Sequence, residues 1–520
     1  MKKISTKIIL GLCTVALIFS SCADELDTKP KVELSLENLL AKDPNAVQGL
    51  LSKMYGTLAL SGSNGPGSSD ISGADVGETA FLRGIINLQD FTADGMKNRW
   101  GDDGLDQLTT SSRWTSSNKF FRYLYDRIYY IVPQTTNIIL ALNNVDVENE
   151  EQIVSELRFI RAFSYYYMID CFGKGVLVTD ANYGTSTPLP EASRQELFDY
   201  VESELLDIEE KIGTTNEYGR ANKAVVRMLL AKLYLNAQVY TGTARWDDAL
   251  TYTNKVINEG GYQLADNFVS LFSADNNVPT NGKNEIIFPL IADAVVSQSF
   301  GNTTYLVNGS CSSETMNIND FGTGDAWSGH RATKAWYGLY GDLETSPDDR
   351  AKLFWTAGHS YEMTNYKTWS DGYPAVKFRN NSFNGPTTVT NFSSTDFPLY
   401  RLADAYLMYA ELTLRGAAGG SSSQAVEYVN QVRNRSHAGP ITTGQLTLDF
   451  LIDERARELN FEGHRRTDLI RFGKFTGSAY IWPWKGNDVD GTSIPDTYRL
   501  FPIPLTAMQS NPNLKQNPGF

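Results

Sequence analysis

Cysteine is scarce in this chain, and its placement argues against a fold stapled by disulfides. The 520 residues include four cysteines. Cys13 and Cys22 lie at the N-terminus, so that Cys171 and Cys311 are left far apart and without the regular spacing of a disulfide framework. We therefore expect Cys171 and Cys311 to be free thiols.

The chain also lacks an apolar run of membrane-spanning length near its N-terminus. The run at residues 8–19 is shorter than the roughly 20 apolar residues that a spanning helix needs. Three lysines precede this run and two serines follow it, which is the arrangement of a secretory signal. The sequence predicts that residues 1–21 are a signal peptide and are absent from the mature protein.

Positive charge is in deficit. The formal net charge is −14 at pH 7, and removal of the predicted signal, which carries three lysines and no acidic residue, makes it −17. Such a surface repels polyanions at long range. The charge therefore excludes nucleic acid as a partner and disfavours anionic substrates.

Familiar catalytic motifs are missing as well. The sequence has no HExxH, no GxSxG and no glycine-rich phosphate loop. The four histidines lie in unrelated contexts: His330, His359, His437 and His464. Glycoside hydrolysis needs two carboxylates about 5 to 10 Å apart, and the candidates are Asp70, Asp75, Glu78, Asp102 and Asp103. Because nothing pairs an acid with a base among them, we predict that the protein is not an enzyme.

What the sequence does contain is a series of amphipathic helices. Apolar residues recur at helical spacing in segments joined by short loops, at residues 120–143, 152–172, 194–212, 223–240, 246–257, 406–415 and 424–435. Small residues at close-approach points, such as Ala249, are typical of tetratricopeptide-type helix pairs. We predict a mainly α fold, with such helix pairs as its scaffold.

Two stretches differ from this pattern. Residues 265–397 and 70–117 are rich in glycine and polar residues, hold many aromatics and have a weak helical period. Irregular segments on a rigid scaffold often carry binding residues. We therefore expect one domain at residues 43–520, with a helical scaffold at about 43–260 and 398–475 and a loop-rich insertion for the ligand. Residues 22–42 are predicted to be a polar tether.

A carboxylate row marks the helix predicted after Thr447. Glu454, Glu458 and Glu462 follow one another at i, i+4 and i+8, and like charges at this spacing repel unless cations face them. Nearby cations are abundant: Arg455, Arg457, Arg465, Arg466 and Arg471. We predict that an ion-pair network locks this helix to its neighbours, the alternative being an exposed, solvated face.

The same stretch carries a family resemblance. The pattern ER-x-x-EL-x-FEG-x-R-x-x-DL-x-RFG and the ending FPIPLTAMQSNPNLKQNPGF resemble the C-terminal part of the SusD/RagB family of surface glycan-binding lipoproteins. FGKGVLV and RLADAYLMYAEL are similar to it too, and EIIFPL, TTYLVNG and WPWKG are most like its starch-binding member. The resemblance implies a non-catalytic protein that captures α-glucan and delivers it to a SusC-like, TonB-dependent outer-membrane transporter.

The resemblance extends to the N-terminus. Phe-Ser-Ser-Cys resembles a bacterial lipobox, in which Cys22 becomes the lipidated first residue of the mature protein. Ala23, Asp24 and Glu25 resemble an acidic tag for export to the outer face of the outer membrane. A lipid anchor on Cys22 at the cell surface is therefore expected, the alternative being simple secretion with cleavage elsewhere.

Three aromatic residues stand in polar stretches where a core role is least expected. They are Trp100 in KNRWGDD, Tyr305 in NTTYLVNG and Trp327 in TGDAWSGH. Large rigid rings suit the apolar face of a pyranose. The resemblance assigns them to a curved arc that stacks on successive glucose units, with Arg83 of FLRG beside it.

Polar partners for the glycan are predicted less directly. Asp70, Asp102 and Asp103 are the expected hydroxyl partners, because carboxylates accept hydrogen bonds from hydroxyl groups. Where sites of the family have an asparagine shortly after the first tryptophan, this chain has GDDG.

A calcium site is a further expectation from the resemblance. Asp275 in SADNN and Asp396 in STDFPL resemble calcium-holding positions, and carboxylate oxygens suit that ion. Ser394 replaces an expected second aspartate, which lowers the charge of the site. The alternative is that Asp275 and Asp396 are ordinary surface-loop residues.

Overall fold

The computed structural model describes residues 36–71 and 77–520. The predicted signal peptide and Cys22 lie outside the described residues. The α-helices are α1 (Leu36–Lys42), α2 (Ala46–Ala59), α3 (Phe81–Gln89), α4 (Leu105–Thr109), α5 (Lys119–Leu142), α6 (Glu150–Cys171), α7 (Arg194–Lys211), α8 (Lys223–Leu235), α9 (Ala237–Thr241), α10 (Trp246–Glu259), α11 (Thr303–Ser310), α12 (Lys334–Tyr337), α13 (Leu402–Leu414), α14 (Ser422–Asn434), α15 (Leu448–Leu459), α16 (Arg465–Arg471) and α17 (Leu505–Ser510). The mainly helical prediction is confirmed.

Strands within the described ranges are short and form three antiparallel pairs. The strands are β1 (Met96–Asn98), β2 (Gly175–Val176), β3 (Glu191–Ala192), β4 (Ile286–Leu290), β5 (His330–Ala332) and β6 (Phe397–Arg401). β1 pairs with β5, β2 with β3, and β4 with β6. The β1–β5 and β4–β6 pairs join parts of the chain that are far apart in sequence, and so they hold the insertion against the scaffold.

The long helices pack in chain order. α5 packs against α6, α6 against α7, α7 against α8, and α8 against α10. α13 then returns after the insertion to pack against α10, and it contacts α14 and α15 in turn. The two halves of the predicted scaffold therefore form one continuous array of helices.

Side-chain caps explain where several of these helices begin. Ser193 and Glu196 form a reciprocal capping box at the start of α7, and Thr447 accepts a hydrogen bond from the Phe450 amide at the start of α15. Each cap satisfies a backbone N–H that has no partner within its helix. The helix predicted after Thr447 is confirmed.

The structure differs from the prediction in two segments of the N-terminal part, residues 36–42 and 70–117. Residues 36–42, the last part of the predicted tether, form α1, whose Leu40 is completely buried. The glycine-bearing stretch 70–117 contains α3, β1 and α4. In α3 every residue is buried, including the polar Arg83 and Asn87.

The carboxylate row is buried, which confirms the ion-pair network. Glu454, Glu458 and Glu462 are each 0% exposed. Arg350 donates to Glu454 at 2.9 Å and to Glu458 at 2.8 Å, while Arg401 binds Glu458 at 2.6 Å and Glu462 at 2.7 Å. Two arginines thus tie the three carboxylates together.

Additional cations complete this network. They are Arg433 and Arg457 on Glu454, Arg435 on Glu458 and Lys377 on Glu462. Burial opposes ionisation of the three glutamates, but these cations and the two shared arginines hold the pKa of each carboxyl below its ordinary value. The glutamates are therefore charged in the folded protein.

The predicted partners of the row were wrong, except for Arg457. Arg455 pairs with Asp404 and Asp468, Arg465 with Asp94, and Arg471 with Glu411 and Asp468. Arg466 donates to backbone carbonyls and lies 4.1 Å from the centre of the Phe501 ring. These side chains point away from the glutamate face, so the cations come from distant elements instead.

Cys171 and Cys311 are free thiols, as predicted, and both are buried. Across residues 36–71 and 77–520, no helix combines the length and the apolar character that crossing a membrane would require.

Candidate functional site

Trp100, Tyr305 and Trp327 lie together, although more than 200 residues separate the first from the other two. The ring centres of Trp100 and Trp327 are 6.2 Å apart with the planes inclined at 57°, and those of Trp100 and Tyr305 are 5.8 Å apart. The two tryptophans are half-buried, whereas Tyr305 is 1% exposed. The three residues therefore form one aromatic cluster, and Trp100 and Trp327 are its surface.

Backbone pairing places the two tryptophans. In the β1–β5 pair Asn98 is opposite His330, and the Arg99 amide donates to the Gly329 carbonyl at 3.1 Å. This pairing brings Trp100 beside the segment that follows Trp327. A Cβ at position 329 would overlap the Trp100 ring, so glycine is needed there for the close approach.

The C-terminal end of α11 holds the other side of the site. The Trp327 amide donates to the Asn308 carbonyl at 2.8 Å, and the Gly329 amide donates to the Gly309 carbonyl at the same distance. Carbonyl groups at a helix C-terminus have no partner within the helix, and this segment satisfies them. Trp100 Nε1 also donates to the Trp327 carbonyl at 2.9 Å, which links the two aromatics directly.

Tyr305 was predicted to be a loop residue on the surface, and the structure corrects this. Tyr305 lies on α11, and its hydroxyl donates to Asn87 at 2.6 Å and accepts from Asn98 at 3.3 Å. Burial raises its pKa to about 12, against the opposing charge of Arg83. Tyr305 thus supports Trp100 from beneath.

Arg83 lies where the resemblance placed it. Its guanidinium carbon is 4.3 Å from the centre of the Tyr305 ring and 5.8 Å from that of Trp100, within the range of cation–π attraction. Glu78 is 3.8 Å from Arg83 and 3.0 Å from Lys119. Glu78 was considered only among the candidate carboxylates of a hydrolase, and Lys119 was not predicted. This ion-pair chain adds both to the edge of the cluster.

His330 is the residue of this cluster that sequence reasoning missed. It is 0% exposed, and its ring centre lies 4.6 Å from Tyr305 and 5.2 Å from Trp100. Burial, with smaller contributions from Arg83 and Arg331, holds its pKa well below the ordinary value. His330 is therefore neutral and packs as an aromatic ring inside the cluster. Its only signal in the sequence was its closeness to Trp327.

The predicted acidic partners are placed differently from one another. Asp102 is half-buried. Burial lowers the pKa of Lys119, but Glu78 and, to a smaller extent, Asp102 raise it above its ordinary value. Asp103, the next residue, is exposed. Asp70 accepts a hydrogen bond from Arg127 at 3.2 Å. Asp75 lies outside the described residues.

The calcium prediction gains no support. Asp275 accepts hydrogen bonds from the Phe383 and Asn384 amides, whereas Asp396 accepts one from the Ala292 amide. Burial raises the pKa of Asp396 to about 7, and its buried Oδ2 has no hydrogen-bond partner among the described residues. The described residues contain no group of three or more histidine, cysteine or acidic side chains that could hold a metal ion.

Comparisons with known proteins agree with this architecture. A family model described as the SusD family matches residues 349–520. Starch-binding protein SusD of Bacteroides thetaiotaomicron is 32% identical, covering 99% of this chain and 100% of that protein. SusD-like protein P25 of Formosa agariphila is 24% identical, with 97% of each chain covered. The chain therefore belongs to the SusD family.

Solved structures show the same fold. A SusD superfamily protein from Bacteroides vulgatus matches with a TM-score of 0.70 and 19% identity, covering 92% of this chain and 99% of that one. Surface glycan-binding protein A from Bacteroides thetaiotaomicron, solved with laminarihexaose, gives a TM-score of 0.69 at 20% identity, covering 91% and 99%. As a member of this family, the protein is a SusD-like glycan-binding protein without catalytic activity.

Proposed function

We propose that the protein captures starch and maltooligosaccharides at the cell surface, with Trp100 and Trp327 as the platform that stacks on glucose rings. The observation that carries this proposal is the pair of half-buried indoles, 6.2 Å apart and inclined at 57°. Exposed apolar rings with fixed spacing and tilt suit the C–H faces of successive sugars. The 32% identity to a starch-binding protein supports the choice of ligand.

The tilt between the rings favours a bent ligand. Two rings inclined at 57° stack on neighbouring sugars only if the sugar faces turn by a similar amount. An α-1,4-linked glucan turns in this way, whereas the sugars of a flat β-1,4-linked chain do not. The proposed partners for the hydroxyl groups are Arg83, whose guanidinium carbon lies 5.8 Å from the centre of the Trp100 ring, and Asp102 and Asp103, which follow Trp100 closely in the sequence.

The ligand proposal is tested with a panel of glucans of matched length. Isothermal titration calorimetry would compare maltohexaose, laminarihexaose and cellohexaose, with α-cyclodextrin as a closed form of the first. We expect α-cyclodextrin and maltohexaose to bind at least tenfold more tightly than the two β-linked chains. Tighter binding of laminarihexaose or cellohexaose would contradict the starch proposal and point to another polysaccharide.

Delivery to a transporter completes the proposed function. A non-catalytic protein that binds long glucans needs a partner to carry the sugar onward, and the proposed partner is a SusC-like, TonB-dependent transporter of the outer membrane. The predicted signal peptide, the lipobox-like Phe-Ser-Ser-Cys and the acidic residues after Cys22 support a location at the outer face of that membrane.

We predict that Cys22→Ala will release the protein from membranes while glucan binding persists. Cys22 is the proposed acyl acceptor, and one acyl chain alone holds a protein to a membrane only marginally, so stable anchoring implies multiple acylation of this residue. Fractionation and surface labelling of cells would measure the change, with Cys311→Ala as the control. A Cys22→Ala protein that stays in the outer-membrane fraction would refute the anchor.

A further inference from the structure

A cleft lies between α7, α9, the end of α16 and the C-terminal segment. Its volume is about 600 Å³, within the range of small-molecule sites. Apolar surface comes from residues that include Leu500 and Pro518, and the polar part of the lining comes from Arg194, Gln238, Arg471, Asp496, Thr497, Arg499 and Asn517. None of the aromatic cluster residues lines it.

Arg194 is the unusual member of this lining. Its Nε donates to the Ile169 carbonyl and its Nη1 to the Val239 carbonyl, each at 3.0 Å. Within the described part of the chain, no acidic group forms an ion pair with it. Burial lowers its pKa, as expected for a cation that lacks a counter-ion. The guanidinium carbon lies 4.7 Å from the centre of the Tyr240 ring. Among the described residues Nη2 makes no hydrogen bond, and this nitrogen is left for a ligand.

A second arginine behind the cleft wall adds to this charge. Arg466 is 0% exposed, and its Nε and Nη1 have no hydrogen-bond partner. Its Nη2 donates to the carbonyls of Tyr498 and Arg499, which belong to the turn that lines the cleft. Arg466 too forms no ion pair among the described residues.

Asp170 is a negative charge close to both Arg194 and Arg466. Asp170 contributes to the charge environment of each of them, but its oxygens accept hydrogen bonds from Gln89, Tyr240 and Thr467.

In the cleft lining Arg499 pairs with Asp496 at 2.9 Å, and Arg471 pairs with Glu411 and Asp468. Among the described residues, Arg194 is therefore the cation of the lining that has no ion pair. A buried uncompensated cation favours an anionic ligand.

We infer that this cleft binds a small sugar acid, such as a uronate, with the carboxylate on Arg194. The planar fork of an arginine matches a carboxylate. The Gln238 amide and the Thr497 hydroxyl make no side-chain hydrogen bond within the described ranges, and both face the cleft as partners for sugar hydroxyls. The apolar surface of Leu500 and Pro518 suits the C–H face of the ring. This site is separate from the glucan platform.

Glucuronate and glucose test the inference, because they differ in one carboxylate. Calorimetric titration at low salt should give a dissociation constant for sodium glucuronate at least tenfold below that for glucose or for sodium acetate. Added salt should weaken glucuronate binding. Equal binding of glucuronate and glucose would overturn the role of Arg194. Equal binding of glucuronate and acetate would overturn the assignment to a sugar.

Variants locate the binding. Arg194→Gln should weaken glucuronate at least tenfold and leave maltohexaose unchanged, while the charge-matched Lys334→Gln, in an exposed ion pair with Glu362, should leave both unchanged. Because Arg194→Gln removes two internal hydrogen bonds, Gln238→Trp at the exposed rim provides a second block that spares the core. Unchanged glucuronate binding in either cleft variant would refute the site. Trp100→Ala should retain glucuronate binding, which separates this inference from the starch proposal.

Discussion

Replacing Glu458 with alanine is expected to destabilise the protein by about 3 to 5 kcal/mol, the cost of removing one partner from a buried ion-pair network. Glu458 is 0% exposed and accepts from Arg350, Arg401 and Arg435, which are themselves buried. Without the carboxylate, three cations lose part of their compensation in a place that water does not reach. Denaturant titration followed by tryptophan fluorescence would measure the loss.

A surface glutamate provides the matched control. Glu362 is 57% exposed in its ion pair with Lys334, and its replacement by alanine should cost less than about 1 kcal/mol. Glu458→Gln keeps the size of the side chain and removes only the charge, so it should fall close to Glu458→Ala. If all three variants unfolded at the same denaturant concentration, the network would contribute nothing to stability.

This network illustrates what local sequence pattern contains and what it omits. The i, i+4, i+8 spacing correctly placed Glu454, Glu458 and Glu462 on one face, since helix geometry alone determines that. It carried no information on which cations meet that face. Arg350 and Arg401 come from segments far along the chain, and only the tertiary packing of β6 and the insertion against α15 brings them there.

The aromatic site was likewise predicted only in part. The family resemblance identified Trp100 and Trp327 as candidate residues, and the structure places them side by side. The burial of Tyr305 could not be read from NTTYLVNG, because the eight-residue helix α11 is buried on all sides and so has no polar face to reveal its period. The place of His330 in the cluster could not be predicted from the sequence either, because its neighbours come from three separate segments.

Loss of either exposed tryptophan is expected to reduce glucan affinity strongly. Truncation of Trp100 or Trp327 to alanine removes a stacking surface worth about 1 to 3 kcal/mol, which corresponds to a rise of about 5- to 150-fold in the dissociation constant. We expect the larger loss for Trp100→Ala. Trp100 contacts Tyr305, His330 and Trp327 and donates to the Trp327 carbonyl. Its removal therefore also loosens the packing of Trp327.

Calorimetry with maltoheptaose would measure these losses, and Trp484→Ala is the matched control. Trp484 is also half-buried and donates its indole N–H to a backbone carbonyl, that of Met363, but it lies outside the aromatic cluster. Trp100→Phe retains an aromatic face and should recover part of the affinity that Trp100→Ala loses. If Trp100→Ala and Trp327→Ala both bound maltoheptaose as the parent does, while remaining folded, the glucan site would have to lie elsewhere on the protein.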